Sequence, residues 1–203
     1  VVTGTGELLD CNRGLAKNAT GYDFRHLFIG SEGTLGLIVE LTMSLASPPH
    51  DPTVLLLGVD KMTDTMPVLQ AFQEKLPLTA FEFFSEKALR HVVAEKGLPR
   101  PFETSTAFYA LIEFENRSEQ DMDTAMELFE YCLEQGWISD GTISQSLSQA
   151  ESLWRLREDI SETIARFTPY KNDISVKVSR VPQFLADVDA LVSEAYPDFE
   201  IIW

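Results

Sequence analysis

Cysteine, histidine and positive charge are all scarce in this chain. Its two cysteines, Cys11 and Cys132, lie far apart and form no CxxC pair, and its three histidines are His26, His50 and His91. That set does not supply a four-ligand zinc site, and a structural disulfide is not expected. A reducing cytoplasm is the default compartment. Lysine and arginine number 16 against 32 acidic residues, a net charge of −16. So acidic a chain cannot neutralise phosphates over a broad face, which excludes nucleic acid as a partner. The same imbalance argues against docking on an anionic membrane surface. No apolar run approaches the ~20 residues of a membrane span. No basic start followed by an apolar stretch marks a signal peptide.

Apolar residues make up 44% of the 203 positions, enough for a sizeable core in one large domain or two small ones. There is no internal repeat and no low-complexity tract. The chain starts Val1-Val2-Thr3 and stops on the apolar run Phe199-Glu200-Ile201-Ile202-Trp203. That run reads as a strand without a following turn, so the sequence is expected to be a piece of a longer protein. The plainer alternative is a terminal strand that docks into its own sheet.

Residues 1–47 are glycine-rich. Thr5-Gly6-Glu7 reads as a hairpin turn before Leu8-Leu9-Asp10, residues 11–21 as loop, and 35–45 as a β-rich run. Ser47-Pro48-Pro49-His50-Asp51-Pro52 excludes helix and marks a linker. Beyond it, strands alternate with amphipathic helices. Strands are expected at 53–60, 80–84, 106–115, 137–144 and 173–180. Helices are expected at 62–76, 85–96, 119–135, 148–167 and from Pro182 to Tyr196, with Ser85 and Ser118 as caps and Gly97 and Gly136 as stops. This order predicts an α+β fold with ferredoxin-like packing. Spacing alone leaves parallel and antiparallel pairing open.

Three stretches could carry chemistry. Glycines at 30, 33 and 36 follow GxxGxxG, which is neither a Rossmann turn nor a P-loop. Glycine lets backbone approach a ligand closely, but a tight loop between packed elements explains the pattern equally well. In the helix through 153–161, Leu153, Leu156, Ile160, Ile164 and Phe167 form a core stripe. Trp154, Arg157 and Ser161 share the adjacent face. There Arg157 could grip a carboxylate with its fork or form a surface ion pair with a nearby acid. Lys171, just before an alternating apolar stretch, is on its own terms a solvated turn residue.

Read as a whole, 17–38 (KNATGYDFRHLFIGSEGTLGLI) resembles a segment of the FAD-linked oxidases of the vanillyl-alcohol-oxidase type. It is most similar to the branch holding D-lactate and D-2-hydroxyglutarate dehydrogenases and the glycolate oxidase FAD subunit. Phe24 in place of Leu, and Val39-Glu40 after Ile38, are mild departures. The resemblance implies that this loop meets FAD through Asn18, Thr20, Gly30, Ser31, Glu32, Gly33, Gly36 and Ile38. Glu32 could instead cap a short helix after it. The stretch around Trp154-Arg155-Leu156-Arg157-Glu158 resembles the branch's W-x-L-R-E-x-I motif, and Tyr170-Lys171-Asn172-Asp173-Ile174 its Y-K-x-D-[IV] motif. By that resemblance Arg157, Ser161 and Lys171 bind the substrate carboxylate, Ser161 standing where Thr is more usual.

The resemblance implies residues 1–52 as the end of an FAD-binding domain plus linker. It implies 53–203 as a truncated ferredoxin-like cap domain, a largely antiparallel sheet covered by helices. It implies FAD as cofactor, a small 2-hydroxy acid as substrate and a quinone, cytochrome or protein as electron acceptor. The family's base and divalent-metal ligands, for a metal such as zinc, lie in a histidine-rich segment expected after Trp203. No catalytic or metal-binding residue is therefore assigned within 1–203, and the piece alone is expected to be inactive. A homodimer through its exposed apolar surface, and a cytoplasmic place or one peripheral to the inner membrane, complete these expectations. The competing reading is a stand-alone ferredoxin-like binding or regulatory module without catalysis.

Overall fold

Two adjacent prolines, Pro48 and Pro49, stand where the chain divides into units, Val1–Pro48 and Pro49–Trp203. The structure is a computed structural model and describes residues 1–11, 14, 15, 17, 20–49 and 51–203.

In the first unit, β1 (Val2–Thr3) pairs antiparallel with β2 (Gly36–Leu37), and α1 (Arg25–Phe28) is a single turn. The expected hairpin is present. Gly6 takes φ +84°, Thr3 N donates to Glu7 O at 2.9 Å, and Val2 bridges Leu8. The β-rich run 35–45 forms strand only at Gly36–Leu37. Its apolar side chains stay exposed, so β propensity there has no sheet to pack into.

In the second unit, β3 (Pro52–Val59) leads through a 3₁₀ turn, Met62–Asp64, into α2 (Thr65–Gln73). β4 (Leu78–Ser85), α3 (Glu86–Lys96), β5 (Phe108–Glu115), α4 (Glu119–Glu134) and β6 (Asp140–Ile143) follow. The sheet order is β4-β5-β3-β6, every neighbour antiparallel. Two interleaved βαβ units, β3-α2-β4 and β5-α4-β6, make this the ferredoxin-like arrangement, with α3 added between β4 and β5.

Strand alternation divides the core in two. On one face Leu55, Leu57, Val59, Ala110, Ile112 and Phe114 pack against Val68 and Phe72 of α2 and Ala125 and Cys132 of α4. On the other, Val54, Leu56, Phe84, Tyr109 and Leu111 meet Ala88, Leu89 and Val92 of α3. Helices α5 (Leu147–Glu158) and α6 (Ile160–Ile164) add Ala150, Leu156 and Ile160 to that second face. Covered on both faces, the central strand β3 needs apolar residues at nearly every position, hence Val54-Leu55-Leu56-Leu57.

Local signals placed the ends well. Ser85 Oγ accepts from Ala88 N at 3.3 Å, and Gly97 closes α3 in the left-handed conformation at φ +64°. Ser118 occupies the N-cap position of α4 without a capping bond from its side chain, and Asp121 accepts from Arg117 N instead. The helix expected at 148–167 breaks at Asp159 into α5 and α6 and ends in a 3₁₀ turn, Ala165–Phe167.

The strand expected at 173–180 is corrected. Residues 171–177 have no regular structure, and Val178–Arg180 is a 3₁₀ turn before α7 (Val181–Ala195). Ile174, Val176 and Val178 are all exposed, so their alternation meets no neighbouring strand. The run 199–203 is not a strand either. It touches the end of edge strand β4 through Ser85 N donating to Trp203 O at 2.9 Å.

Candidate functional site

The glycine loop lies in the first unit. Phe28 O accepts from Ser31 N at 3.1 Å, and Ser31 O accepts from Thr34 N at 3.0 Å, folding 28–34 into consecutive turns. Gly30 and Gly33 hold φ +81° and +78°, and Glu32 shares the left-handed region at φ 50°. Among the described residues nothing lies within 4 Å of where a Cβ would stand on Gly30 or Gly33. The loop therefore presents bare main chain outward. Gly36 differs, because a Cβ there would stand 2.9 Å from Val2 O and from Val1 Cγ1. Its smallness serves β1–β2 pairing. Ser31 Oγ is buried and has no hydrogen-bond partner among the described residues. Ahead of the loop, Asp23 accepts from Arg25 Nε and Nη2 at 2.8 and 2.6 Å. Those bonds hold its carboxyl down at about 2. Thr20 and Ile38 are exposed, and Asn18 lies outside the described residues, as does His50 of the linker.

The second unit places Arg157 on α5, Ser161 on α6 and Lys171 in the irregular stretch that follows. Leu156 and Ile160 turn into the core as the stripe requires, Leu153 and Ile164 pack partly against it, and Phe167 is exposed. On the adjacent face, Arg157 Nε donates to Glu82 Oε2 at 3.0 Å, both side chains a little over one-third exposed. One turn earlier, Trp154 Nε1 donates to Glu113 Oε2 at 2.7 Å, while Thr79 Oγ1 donates to Glu113 Oε1 at 2.6 Å. Lys171 reaches back to α6, its Nζ donating to Ser161 O at 3.0 Å and to Ser161 Oγ at 3.4 Å. Two predicted residues, Ser161 and Lys171, are thus in direct contact, and Arg157 sits one turn before them across the Asp159 break.

Glu82 and Glu113 were missed in the sequence. The signal was available. Each is an acid flanked by apolar strand residues, Phe81-Glu82-Phe83 and Ile112-Glu113-Phe114. Each shares parity with residues of the core face beneath α5, Phe84 for one and Leu111 for the other. A charge at such a position needs a partner on the covering helix.

A second polar cluster sits at the other end of that face. Arg100 donates from Nη1 and Nη2 to Glu86 at 3.0 and 2.8 Å, and from Nη2 to the Tyr109 hydroxyl at 2.9 Å. Tyr109 donates to Glu86 Oε2 at 2.6 Å. Burial, then the Glu86 carboxylate, push the Tyr109 phenol up to about 12. Burial alone would raise Glu86, but the Arg100 and Tyr109 hydrogen bonds outweigh it and hold it below its ordinary value. With its ring fully buried, this cluster is architecture.

Among the described residues no group of three or more His, Cys, Asp or Glu side chains could hold a metal ion. No helix among them is long and apolar enough to cross a membrane.

Residues 48–203 match the family model described as FAD linked oxidases, C-terminal domain. The chain belongs to the FAD-linked oxidases. It is 59% identical over 203 residues to a D-2-hydroxyglutarate dehydrogenase of Stutzerimonas stutzeri (strain A1501), all of this chain and 44% of that protein. It is 53% identical over 203 residues to the enzyme of that name from Xanthomonas citri pv. viticola, again all of this chain and 43% of the relative. A mitochondrial D-2-hydroxyglutarate dehydrogenase of Arabidopsis thaliana is 33% identical over 192 residues, 92% of this chain and 34% of its own length. The chain thus spans less than half the length of the curated relatives it matches. This FAD-linked oxidase chain carries identity through both of its units.

Proposed function

We propose that this chain is part of an FAD-dependent dehydrogenase that oxidises a D-2-hydroxy acid of the D-2-hydroxyglutarate type to its 2-oxo acid. The observation that carries the reading is 59% identity over 203 residues, all of this chain, to a protein named for that activity. A stand-alone binding module is not favoured, because it leaves the first unit's share of that identity unexplained. In this reading residues 1–52 are the end of the flavin domain with its linker, and 53–203 belong to the substrate domain.

FAD, when bound, supplies the hydride acceptor. Residues of the glycine loop suit contact with it. Gly30 and Gly33 offer uncovered backbone, and the unpartnered Ser31 Oγ offers a hydrogen-bonding group. Asn18, Thr20, Glu32, Gly36 and Ile38 complete the proposed contact. No donor set for a divalent metal is present among the described residues, so no part of the reaction is assigned to a metal on this chain.

Arg157, Ser161 and Lys171 are proposed to hold the substrate carboxylate. An anion arriving here meets a guanidinium of which, among the described residues, Nε alone is engaged, and an ammonium with a hydroxyl beside it. Held so, the substrate loses its freedom before hydride transfer, which is where such a site contributes to rate. The electron acceptor is a quinone, a cytochrome or another protein, and the place of action the cytoplasm or the periphery of the inner membrane.

The test is anaerobic mixing of the FAD-loaded protein with D-2-hydroxyglutarate, D-lactate and L-2-hydroxyglutarate while the flavin band is followed. Bleaching by the D-acids and not by the L-acid is expected. A flavin reduced by no 2-hydroxy acid ends the proposal. Arg157→Lys loses the planar fork and should raise KM about tenfold or more.

A further inference from the structure

We propose that Glu82 is a positioning residue for Arg157. It occupies the Nε edge of the guanidinium and so reserves the Nη1/Nη2 edge for the substrate carboxylate. This inference rests on the proposal that Arg157 receives that carboxylate.

The geometry is specific. A guanidinium offers two edges to a carboxylate, the Nε/Nη2 side and the Nη1/Nη2 end. Glu82 contacts Nε at 3.0 Å. Among the described residues Nη1 and Nη2 have no partner. Four of the five N–H donors thus remain available.

Glu82 can act as a fixed post because its backbone is part of a ladder. It sits in β4 opposite Leu111 of β5, with Phe81↔Ile112 and Phe83↔Ala110 paired on either side. Arg157, in contrast, ends a long side chain with many rotamers. Tethering it at Nε removes most of those before substrate arrives, which is preorganisation. The helix carrying Arg157 is tied to the same sheet face one turn earlier, by Trp154 donating to Glu113. Two acids on adjacent strands therefore fix both the helix and the tip of its arginine.

Stability does not explain the Glu82 pair. Both side chains are more than one-third exposed, and ion pairs so placed contribute little to folding. Electrostatics alone does not explain it either. A carboxylate beside an anion site repels the anion, so a Glu82 without a positioning role would only weaken binding. The two effects have opposite signs, and that makes the proposal testable.

The experiment compares Glu82→Ala, Glu82→Gln and Arg157→Lys with the unsubstituted protein, all FAD-loaded. KM and kcat for D-2-hydroxyglutarate are measured, and 2-oxoglutarate binding is followed by its perturbation of the flavin spectrum. The amide oxygen of Gln still accepts from Nε, so Glu82→Gln should stay within about twofold or bind slightly tighter. Glu82→Ala frees the guanidinium and should raise KM, and weaken 2-oxoglutarate, by about five- to tenfold with kcat changed less. Its melting temperature should stay within about 2 °C, as expected for an exposed pair. Should the alanine variant fold poorly, Glu82→Asp shortens the post by one methylene and should move KM the same way by a smaller factor. Tighter binding in both Ala and Gln variants overturns the proposal, because Glu82 would then merely compete with substrate. An unchanged KM in Glu82→Ala overturns it too, while a raised KM in Arg157→Lys leaves the substrate site standing. An unchanged KM in Arg157→Lys takes both down.

Discussion

Replacing Tyr109 by Phe removes one hydroxyl from the half-buried Glu86–Arg100–Tyr109 cluster and leaves the ring. The ring keeps its stack on Phe84, with centroids 5.3 Å apart and planes 13° from parallel. Arg100 keeps both bonds to Glu86. What goes is the 2.6 Å bond from the phenol to Glu86 and the 2.9 Å bond from Arg100 to the phenol. A hydrogen bond to a charged group contributes about 1.5–3 kcal/mol, so the variant should lose roughly 2 kcal/mol at pH 7. For a domain of this size that is a fall in Tm of about 4–8 °C.

The pH dependence separates this account from a generic packing defect. The Tyr109 phenol is pushed up to about 12 in the folded chain against an ordinary 10.0. An acid whose folded pKa is raised gives stability that is complete below the unfolded value and is lost as pH rises through the window between the two. At pH 11 the unfolded tyrosine is largely ionised and the folded one is not, which costs the unsubstituted protein about 1.4 kcal/mol relative to pH 7. The Phe variant has no such loss at this position. Its deficit should therefore shrink from about 2 to under ~1 kcal/mol between pH 7 and pH 11. Urea unfolding at the two pH values, followed by tryptophan fluorescence, reads both numbers. A deficit of the same size at both would refute the hydrogen-bonded, neutral phenol.

Gly58→Ala should destabilise by about 1–3 kcal/mol, because a Cβ there would stand 2.5 Å from Thr106 Cγ2 and 3.1 Å from Phe102 Cε2; a melting curve unchanged or raised would contradict the close contact. Ser85→Ala should cost about 1 kcal/mol by removing the cap of α3, read as a shift in urea midpoint with an unchanged slope. Thiol titration of the native protein should find Cys11 reactive and Cys132 silent, since burial pushes the Cys132 thiol up to about 11, and both should react after unfolding. Equal rates for the two in native buffer would refute the burial of Cys132.

The fold was readable wherever a segment carries its own boundary chemistry. Ser85 before α3 and Gly97 after it fix a helix locally, and Val54–Leu57 announces a strand covered on both faces. The sheet order was not readable in spacing, because pairing β5 between β3 and β4 is decided by which faces must be buried together. The alternation Ile174-Val176-Val178 misled for a physical reason. Period-two apolarity states that a segment could be half-buried in a sheet, but a strand exists only where a neighbour supplies its hydrogen bonds. Both edge strands, β4 and β6, leave that stretch unpaired here. In 35–45 of the first unit only Gly36–Leu37 finds a neighbour, in β1.

The candidate site was harder to read, because its meaning lies in pairs. Taken alone, Arg157 on an exposed helix face is indistinguishable from any surface arginine in an acidic chain. The structure does give it an acidic partner, as the plainer reading held, yet that partner is a strand residue held by a ladder and not a neighbour on the same helix. Arg155, two residues away, shows the contrast. It pairs with Asp159 one turn along its own helix at 3.0 Å, an arrangement any helix can make. An arginine held by its own helix moves with that helix, whereas one held by the sheet is located relative to the whole core. On the proposed function, a substrate carboxylate presented to a flavin calls for the second kind. The isolated Glu in the Phe81-Glu82-Phe83 stretch is therefore the more informative signal, since an acid flanked by apolar strand residues marks a place where the covering helix can set a cation.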